Sequence, residues 1–318
     1  MNAVIIGCGV IASRWLRTLS ADPRIRVVAV VDPDLARARV LAASYGVARA
    51  AATLTEAASA AAVQVAVNLT PPAAHTAVTR HALRAGLHVL TEKPLALTLA
   101  DAVDLVTTAR TSGRVLAVMH NRVLDPQFQP VVAACAGRSG PLAVTADVLV
   151  GLADPGFRST QSYPVTTDLA VHAFDQIQVL ISAAPVQVFC TETALPFIGA
   201  HASLATMTIT FADGSVFGYR GGFTGPGLTT SATGTWQVHG TPLDPPVSTP
   251  DATPGYQRCI TAMIDMLHTG PAAAAWPVTA LRSIALLDAA RRSAATGRPV
   301  TVAAVPHQPP TPTSSRRP

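Results

Sequence analysis

The first 120 residues alternate short, almost wholly apolar runs with segments of helical periodicity, and this alternation restricts the fold more than any other property of the chain. The apolar runs lie at 3–6, 25–31, 63–69, 87–90 and 114–119. Between them, helical patterns occupy 11–19, 35–45 (stopped by Gly46), 72–85 (ended by Gly86) and 99–110. A strand that is apolar at every position is buried on both faces, which calls for helices on both sides of a parallel sheet. The spacing therefore predicts an α/β domain over residues 1–120, a doubly wound parallel sheet of the kind that binds ligands at the carboxyl ends of its strands.

After about residue 121 the rhythm changes. Leu204, Thr206, Thr208 and Thr210 face one way, and Ala205, Met207, Ile209 and Phe211 the other. Asp213-Gly214 then supplies a tight turn, 216–220 returns as the second strand of a hairpin, and 236–239 reads as a further strand. Such alternation belongs to a largely antiparallel sheet with one open face. Helices are expected at 257–268, ending at Gly270, and at 278–296, following Pro277 and stopping at Gly297. Residues 121–305 are thus expected to form an α+β domain for substrate binding and oligomerisation. Its Thr-rich open face is either solvated surface or the interface of a homodimer or homotetramer, and the interface is preferred. The Pro/Ser/Thr-rich segment 306–318 is expected to be a disordered tail.

Of 318 residues, 49% are hydrophobic and only 13% charged, which suits a large core and not a disordered chain. The net charge of +5 comes from scattered arginines with no basic stripe and no interleaved aromatics, so no nucleic-acid partner is expected. Cys8, Cys135, Cys190 and Cys259 are too far apart for a Cys-x-x-Cys site and read as reduced thiols. A visible leader and a membrane-length apolar run are both missing from the sequence, and a cytoplasmic protein with no membrane partner is expected.

Three groups of residues carry chemistry. Gly7-Cys8-Gly9-Val10-Ile11-Ala12 follows the first strand and opens a helix. Gly7 and Gly9 allow a tight turn and close approach of backbone to a pyrophosphate, the helix N-terminus offers free N–H groups, and the small Ala12 lets helix and strand pack. Asp32 ends the second strand, where a carboxylate meets the ribose hydroxyls of an adenosine. That favours NAD, although Arg37 and Arg39 keep NADP open. Thr70, Pro71 and His75 follow the next strand at the same sheet edge, where loops meet the cofactor; His75 reads equally well as part of its helix's first turn. Lys93 follows the strand at 87–90, beside the place of a nicotinamide, where an ammonium stabilises charge on a substrate oxygen. Finally, Asp168 and His172 are four residues apart, so on a helix they share a face with Asp175 a turn beyond. Such a histidine passes a proton as hydride moves, and the aspartate anchors a substrate hydroxyl or holds the ring. A buried, satisfied histidine and a metal site of Asp168, His172 and Asp175 stay as alternatives; no further ligand cluster supports the metal, and none is expected.

Together these residues resemble the Gfo/Idh/MocA (glucose–fructose oxidoreductase, inositol dehydrogenase, MocA) family from Val4 to about Val302. Glu92-Lys93-Pro94 is similar to its signature, which implies a substrate-contacting lysine followed by a cis bond, and Asp168 to Asp175 is similar to its D-x-x-x-H-x-x-D element. Asn121-Arg122, followed by Asp125-Pro126, resembles its domain-junction segment. The resemblance implies a Rossmann domain, Glu92 and Asn121 against the cofactor, and Arg122, Lys93, Asp168 and His172 against the substrate. The family often carries a Gly-Gly pair just before the first aspartate; Tyr163-Pro164-Val165-Thr166-Thr167 stands there instead, and a different pocket wall is expected. The implied activity is NAD(P)-dependent hydride transfer to or from a secondary alcohol or ketone of a sugar, cyclitol or keto derivative. Two alternatives are a reductase of a biosynthetic ketone or imine, and a non-catalytic NAD(P)-binding sensor, against which the intact Lys93, Asp168 and His172 argue.

Overall fold

The computed structural model describes residues 1–59, 62–151, 156–195, 203–224, 229–231, 233–239, 241–243, 253–270 and 276–305. Its first sheet has six parallel strands: β1 (Asn2–Ile6), β2 (Arg26–Val31), β3 (Ala50–Ala51), β4 (Val65–Asn68), β5 (His88–Thr91) and β6 (Leu116–Val118). Their spatial order is β3-β2-β1-β4-β5-β6. The winding reverses between β1 and β4, which opens a crevice at their carboxyl ends. Helices α1 (Val10–Ser20), α2 (Leu35–Tyr45), α3 (Leu54–Ser59), α4 (Pro72–Arg84) and α5 (Leu99–Thr111) make the connections.

Local chemistry sets these boundaries. The Asp34 carboxylate accepts the Arg37 N–H at the start of α2, and Gly46 closes that helix in the left-handed region at φ 65°. Thr98 caps α5 by accepting the Asp101 N–H. The five strands expected from the sequence are all present, with ends displaced by a few residues. The two-residue β3 and six-residue α3 were not anticipated, being too short to show a period.

The second sheet contains β7 (Ala143–Gly151), β8 (Pro185–Ala194), β9 (Ser203–Phe211), β10 (Val216–Thr224), β11 (Thr235–Val238), β12 (Thr241–Leu243) and β13 (Val300–Thr301), in the order β12-β11-β7-β10-β9-β8-β13. Neighbours are antiparallel except β7 and β10, which run parallel from Ala143↔Val216 to Gly151↔Thr224. The hairpin read at Asp213-Gly214 is the β9–β10 turn, with Gly214 at φ 86°. On β9, Ala205, Met207, Ile209 and Phe211 are buried while Thr206 and Thr208 are exposed, so one face is covered and one open. The expected strand at 236–239 ends at Val238, because His239 takes φ 50° and turns the chain.

Helices α6 (Gln129–Cys135), α7 (Val171–Leu180), α8 (Thr253–Thr269) and α9 (Trp276–Thr296) complete the fold. α9 packs on β8 and α7 on one side and on α5 and β6 on the other, so it joins the two sheets. It takes Pro277 into its first turn, where the missing N–H costs nothing. α8 begins four residues before the expected 257 and returns to the first sheet. Its Tyr256, Cys259, Ile260, Met263, Ile264 and Leu267 share a core with Trp15, Leu16 and Leu19 of α1 and with Ala3 and Ile5 of β1. Val4 and Ile6, on the other face of β1, belong to the core that continues into the second sheet. Burying the Trp15 side chain alone contributes about 2–3 kcal/mol to this packing. All four cysteines are buried free thiols. Among the described residues no helix is long and apolar enough to cross a membrane. The tail expected at 306–318 lies outside the described residues.

Candidate active site

The loops at the carboxyl edge of the first sheet build one half of the site. Gly7 sits at φ 97°, and its N–H donates to the Val31 carbonyl at 2.8 Å. A side chain there would press on the Leu69 carbonyl, whose C and O atoms lie 2.8 Å from an ideal Cβ. Gly9 is the N-cap of α1 with no side-chain cap, and a Cβ added to it meets nothing within 4 Å. Val10 behind it is 99% exposed, whereas Ala12 is fully buried between helix and sheet. The turn therefore leaves uncapped N–H groups facing open space, a cradle that fits a pyrophosphate.

Asp32 ties this turn to β2. Its Oδ2 accepts the Cys8 N–H and its Oδ1 the Asp34 N–H, both at 2.9 Å. Arg37 is exposed on α2 and lies 3.7 Å from the Asp32 carboxylate and 3.4 Å from that of Asp34. The Asp32 charge and burial push the Cys8 thiol up to about 12, burial being the larger cause, so it stays protonated.

Thr70 is held by Asn68, whose Oδ1 accepts both its N–H and its hydroxyl. His75, grouped by position with the cofactor contacts, does something else. Its ring is 1% exposed and lies 2.6 Å from the Pro94 carbonyl and 2.7 Å from that of Thr70. No ring nitrogen is left for a cofactor, and the histidine instead fastens the loop after β4 to the loop after β5. Burial lowers its pKa, and the two carbonyls oppose that shift, since bonding both of them takes a proton on each ring nitrogen. Glu92 is likewise committed within the protein: its Oε1 accepts from Trp15 Nε1 at 2.8 Å and from the Tyr256 hydroxyl. It thereby locks the start of α8 and α1 to the loop after β5 that carries Lys93. The Lys93–Pro94 bond is cis.

The other half of the site comes from residues 165–180. Asp168 lies in a π-helical segment, Val165–Ala170, and His172 in the α-helix that continues it, so the pair is not related by a regular α-helical turn. Glu192 on β8 caps this segment, accepting the Val165 and Thr166 N–H groups at 2.8 and 2.9 Å and the Thr166 hydroxyl at 2.7 Å. Lys93 Nζ donates to Asp168 Oδ1 at 2.6 Å and to its backbone carbonyl at 2.8 Å. Arg158 Nε takes Oδ2 at 2.6 Å. Burial pulls the Asp168 pKa upward, but the combined charges and hydrogen bonds of Lys93 and Arg158 overcome it and hold the carboxyl at about 2.

His172 is pushed well below the ordinary imidazole range, first by burial and then by the charges of Arg122, Lys93 and His120. It is therefore a neutral base in neutral solution, and its Nδ1 has no hydrogen-bond partner among the described residues. Asp175 turns away from it, accepting from Ser283 Oγ at 2.5 Å and lying 2.6 Å from His120 Nδ1. With Asp168 answered by two cations and Asp175 by His120, the three residues of the metal alternative do not converge, and no metal-holding group occurs among the described residues. Burial lowers the Arg122 pKa, and its Nη1 has no partner among the described residues. Asn121 is buried beside it, its carbonyl oxygen 2.7 Å from where a Cβ on Gly255 would stand.

Lys93, Asp168, His172 and Arg122 thus gather at one place. Arg158, Glu192, His120, Ser283 and Tyr219, whose buried hydroxyl is unpartnered and electrostatically coupled to Arg122 and Asp168, belong there too and were not singled out from the sequence. They sit on strands, loops and α9, with no motif spacing to the others.

Residues 1–120 match the family described as "Oxidoreductase family, NAD-binding Rossmann fold" (GFO_IDH_MocA). Myo-inositol dehydrogenase Hyg17 of Streptomyces leeuwenhoekii is 33% identical over 197 residues, 61% of this chain and 60% of its own length. Inositol 2-dehydrogenase 1 of Saccharopolyspora erythraea is also 33% identical over 197 residues, 59% of this chain and 57% of its own length. The chain thus spans somewhat under two thirds of these curated relatives. The crystal structure of GenD2 from gentamicin A biosynthesis, in complex with NAD, superposes with a TM-score of 0.84 at 28% identity, covering 96% of this chain and 97% of its own. A putative myo-inositol dehydrogenase from Sinorhizobium meliloti 1021 shares the fold, with a TM-score of 0.78 at 22% identity over 95% of this chain and 100% of its own.

Proposed function

We propose that this chain, whose residues 1–120 match the Gfo/Idh/MocA oxidoreductases, moves a hydride between a nicotinamide dinucleotide and a carbon bearing a secondary alcohol, or its ketone, in a sugar or cyclitol-like substrate. The observation that carries this reading is the meeting of a neutral, buried His172 with the Lys93–Asp168 ion pair at the sheet edge that holds the Gly7-to-Ala12 turn.

The residues at that turn fit an NAD pyrophosphate: Gly7 and Gly9 for the close approach, the N–H groups of Val10 and Ile11 for the charge, and the small Ala12, whose N–H is bonded to the Gly9 carbonyl, for the packing of helix on sheet. Asp32 faces the adenosine ribose. Its charge repels a 2′-phosphate, and Arg37 is engaged by Asp32 and Asp34, so NAD is favoured over NADP. Thr70, Pro71 and Asn121 border the route to the nicotinamide, which when bound takes up or gives the hydride. His172 accepts the hydroxyl proton as the hydride leaves the carbinol carbon, and returns it in the reverse direction. Lys93 donates to the substrate oxygen and stabilises its developing negative charge. Asp168 keeps Lys93 charged and aimed, and its remaining lone pairs accept a neighbouring substrate hydroxyl. Arg122 contributes a further donor.

The exposed face of the second sheet, where Val186, Phe189 and Val216 stand among threonines, is the surface through which we expect a homodimer or homotetramer to form. Lys93→Met and His172→Asn test the chemistry. Each is expected to bind NADH with nearly wild-type affinity and to lose turnover on the order of a hundredfold or more. Wild-type turnover in either variant would sink the assignment.

A further inference from the structure

The hydrogen-bonding capacity left open around Lys93 and His172 is lopsided. The carboxylates are already largely engaged: Asp168 takes one charged donor on each oxygen, Asp175 faces Ser283 and His120, and Glu92 Oε1 accepts from Trp15 and Tyr256, so the second lone pairs of Asp168 and the neutral His172 ring are the main acceptors left beside Lys93. The open groups are mostly donors. The Arg122 Nη1 is buried and has no hydrogen-bond partner among the described residues. Arg158 spends only its Nε on Asp168, leaving both terminal nitrogens without a partner among the described residues. Its guanidinium is fixed by stacking, with Cζ 4.6 Å from the Phe157 ring centre and 5.4 Å from that of Phe223, and its side chain remains 26% exposed.

A guanidinium has five donors and no acceptor. A neutral polyol brings one hydrogen with every hydroxyl, and these hydrogens find few free acceptors here. A carboxylate or phosphate brings only acceptors, and its paired oxygens match the planar fork of an arginine. An unpaired buried guanidinium is itself costly, and an anion supplies the missing partner. Building on the hydride-transfer reading, we propose that the substrate carries an anionic oxygen group, a carboxylate or a phosphate, and that Arg158 selects it, with Arg122 as the deeper partner. Arg158 lies on the 3₁₀ turn Gly156–Thr160 beyond the end of β7, so its choice of ligand is separable from the proton-transfer residues on α7.

The test uses the whole protein loaded with NADH at constant ionic strength. D-glucuronate, D-glucose 6-phosphate and D-glucose are titrated separately, and binding is followed by the fluorescence of the bound nicotinamide. At least one anion is expected to bind roughly tenfold or more tightly than glucose, as charge-assisted bonds require. Preference for glucuronate alone assigns a carboxylate, and for glucose 6-phosphate alone a phosphate. Arg158→Gln should bring the favoured anion to within about threefold of glucose, and Arg158→Lys, which keeps the charge but not the fork, should fall between. Equal or tighter binding of glucose by the wild type would overturn the inference. So would an Arg158→Gln variant that weakens anion and glucose alike, since that is the effect of a mere tether on Asp168. Both results would leave the hydride reading standing. Failure of NADH to bind would instead overturn the hydride reading and take this inference with it.

Discussion

Replacing Gly7 and Gly9 separately by alanine should give opposite results, although the two glycines are neighbours in one turn. At Gly7 the backbone holds φ 97°, and the new Cβ would stand 2.8 Å from Leu69 C and O and 2.9 Å from Thr70 N. Those atoms are poorly placed to retreat. The Leu69 N–H is bonded to the Ile6 carbonyl at 2.8 Å, and the Thr70 N–H to Asn68 Oδ1 at 3.2 Å. Asn68 is itself held by Thr79 and the His75 carbonyl. Strained backbone and overpacking each cost about 1–3 kcal/mol, so Gly7→Ala should lose roughly 2–6 kcal/mol of stability. At Gly9, φ is −75° and the methyl enters empty space, so folding stability should stay within about 0.5 kcal/mol of wild type. If that empty space receives the pyrophosphate, as proposed, Gly9→Ala should weaken NADH binding on the order of tenfold or more. Urea denaturation without cofactor measures the first quantity and NADH fluorescence titration the second. The account of the turn is refuted if Gly7→Ala unfolds at the wild-type urea concentration, or if Gly9→Ala binds NADH as the wild type does.

Because burial and nearby cations hold His172 well below the ordinary 6.5, its neutral form persists into mild acid. The pH profile of kcat/KM for alcohol oxidation should therefore stay flat through 6.5 and break only well below it; an acid limb centred at or above 6.5 would contradict the assignment. Asp168 is held at about 2 against an ordinary 3.8, which is worth about 2 kcal/mol of stability at neutral pH. Its folded pKa is the depressed one, so this contribution is complete above 3.8 and disappears as the pH falls toward 2. Asp168→Asn should accordingly unfold about 2 kcal/mol more easily at neutral pH, with the gap closing below about pH 4, and equal neutral-pH stability would count against the buried ion cluster. Glu192→Ala strips the cap from the π-helical segment; we expect a loss of about 2–4 kcal/mol together with reduced turnover, and unchanged kinetics would show that Glu192 does not position Asp168.

The sheet domain was legible in the sequence because each of its longer strands is buried on both faces, and continuous apolarity writes that environment directly into the residues. The open face of the second sheet was legible for the complementary reason, through the alternation of Thr206 and Thr208 with Ala205 and Met207. Long-range geometry was not. Nothing near Tyr256 signals that α8 crosses back to grip Glu92, and nothing near Glu192 signals that it caps a helix 27 residues upstream. His75 shows a further limit: its place at the sheet edge was readable, but whether its ring faced a ligand or two carbonyls depended on a loop, after β5, that no local pattern positions. The four-residue spacing of Asp168 and His172 suggested an α-helical face, whereas the chain takes a π-helical turn there, held by bonds from outside the helix.

The most direct test of the central claim is to follow the hydride itself. The protein is incubated with NAD and polyols, cyclitols and uronates deuterated at their carbinol carbons, and the reduced nicotinamide is analysed by mass spectrometry. The account predicts deuterium in the nicotinamide ring with wild-type protein, and its near absence with His172→Asn despite intact NADH binding. Reduced nicotinamide lacking the label, or equal labelling by the His172 variant, would contradict it.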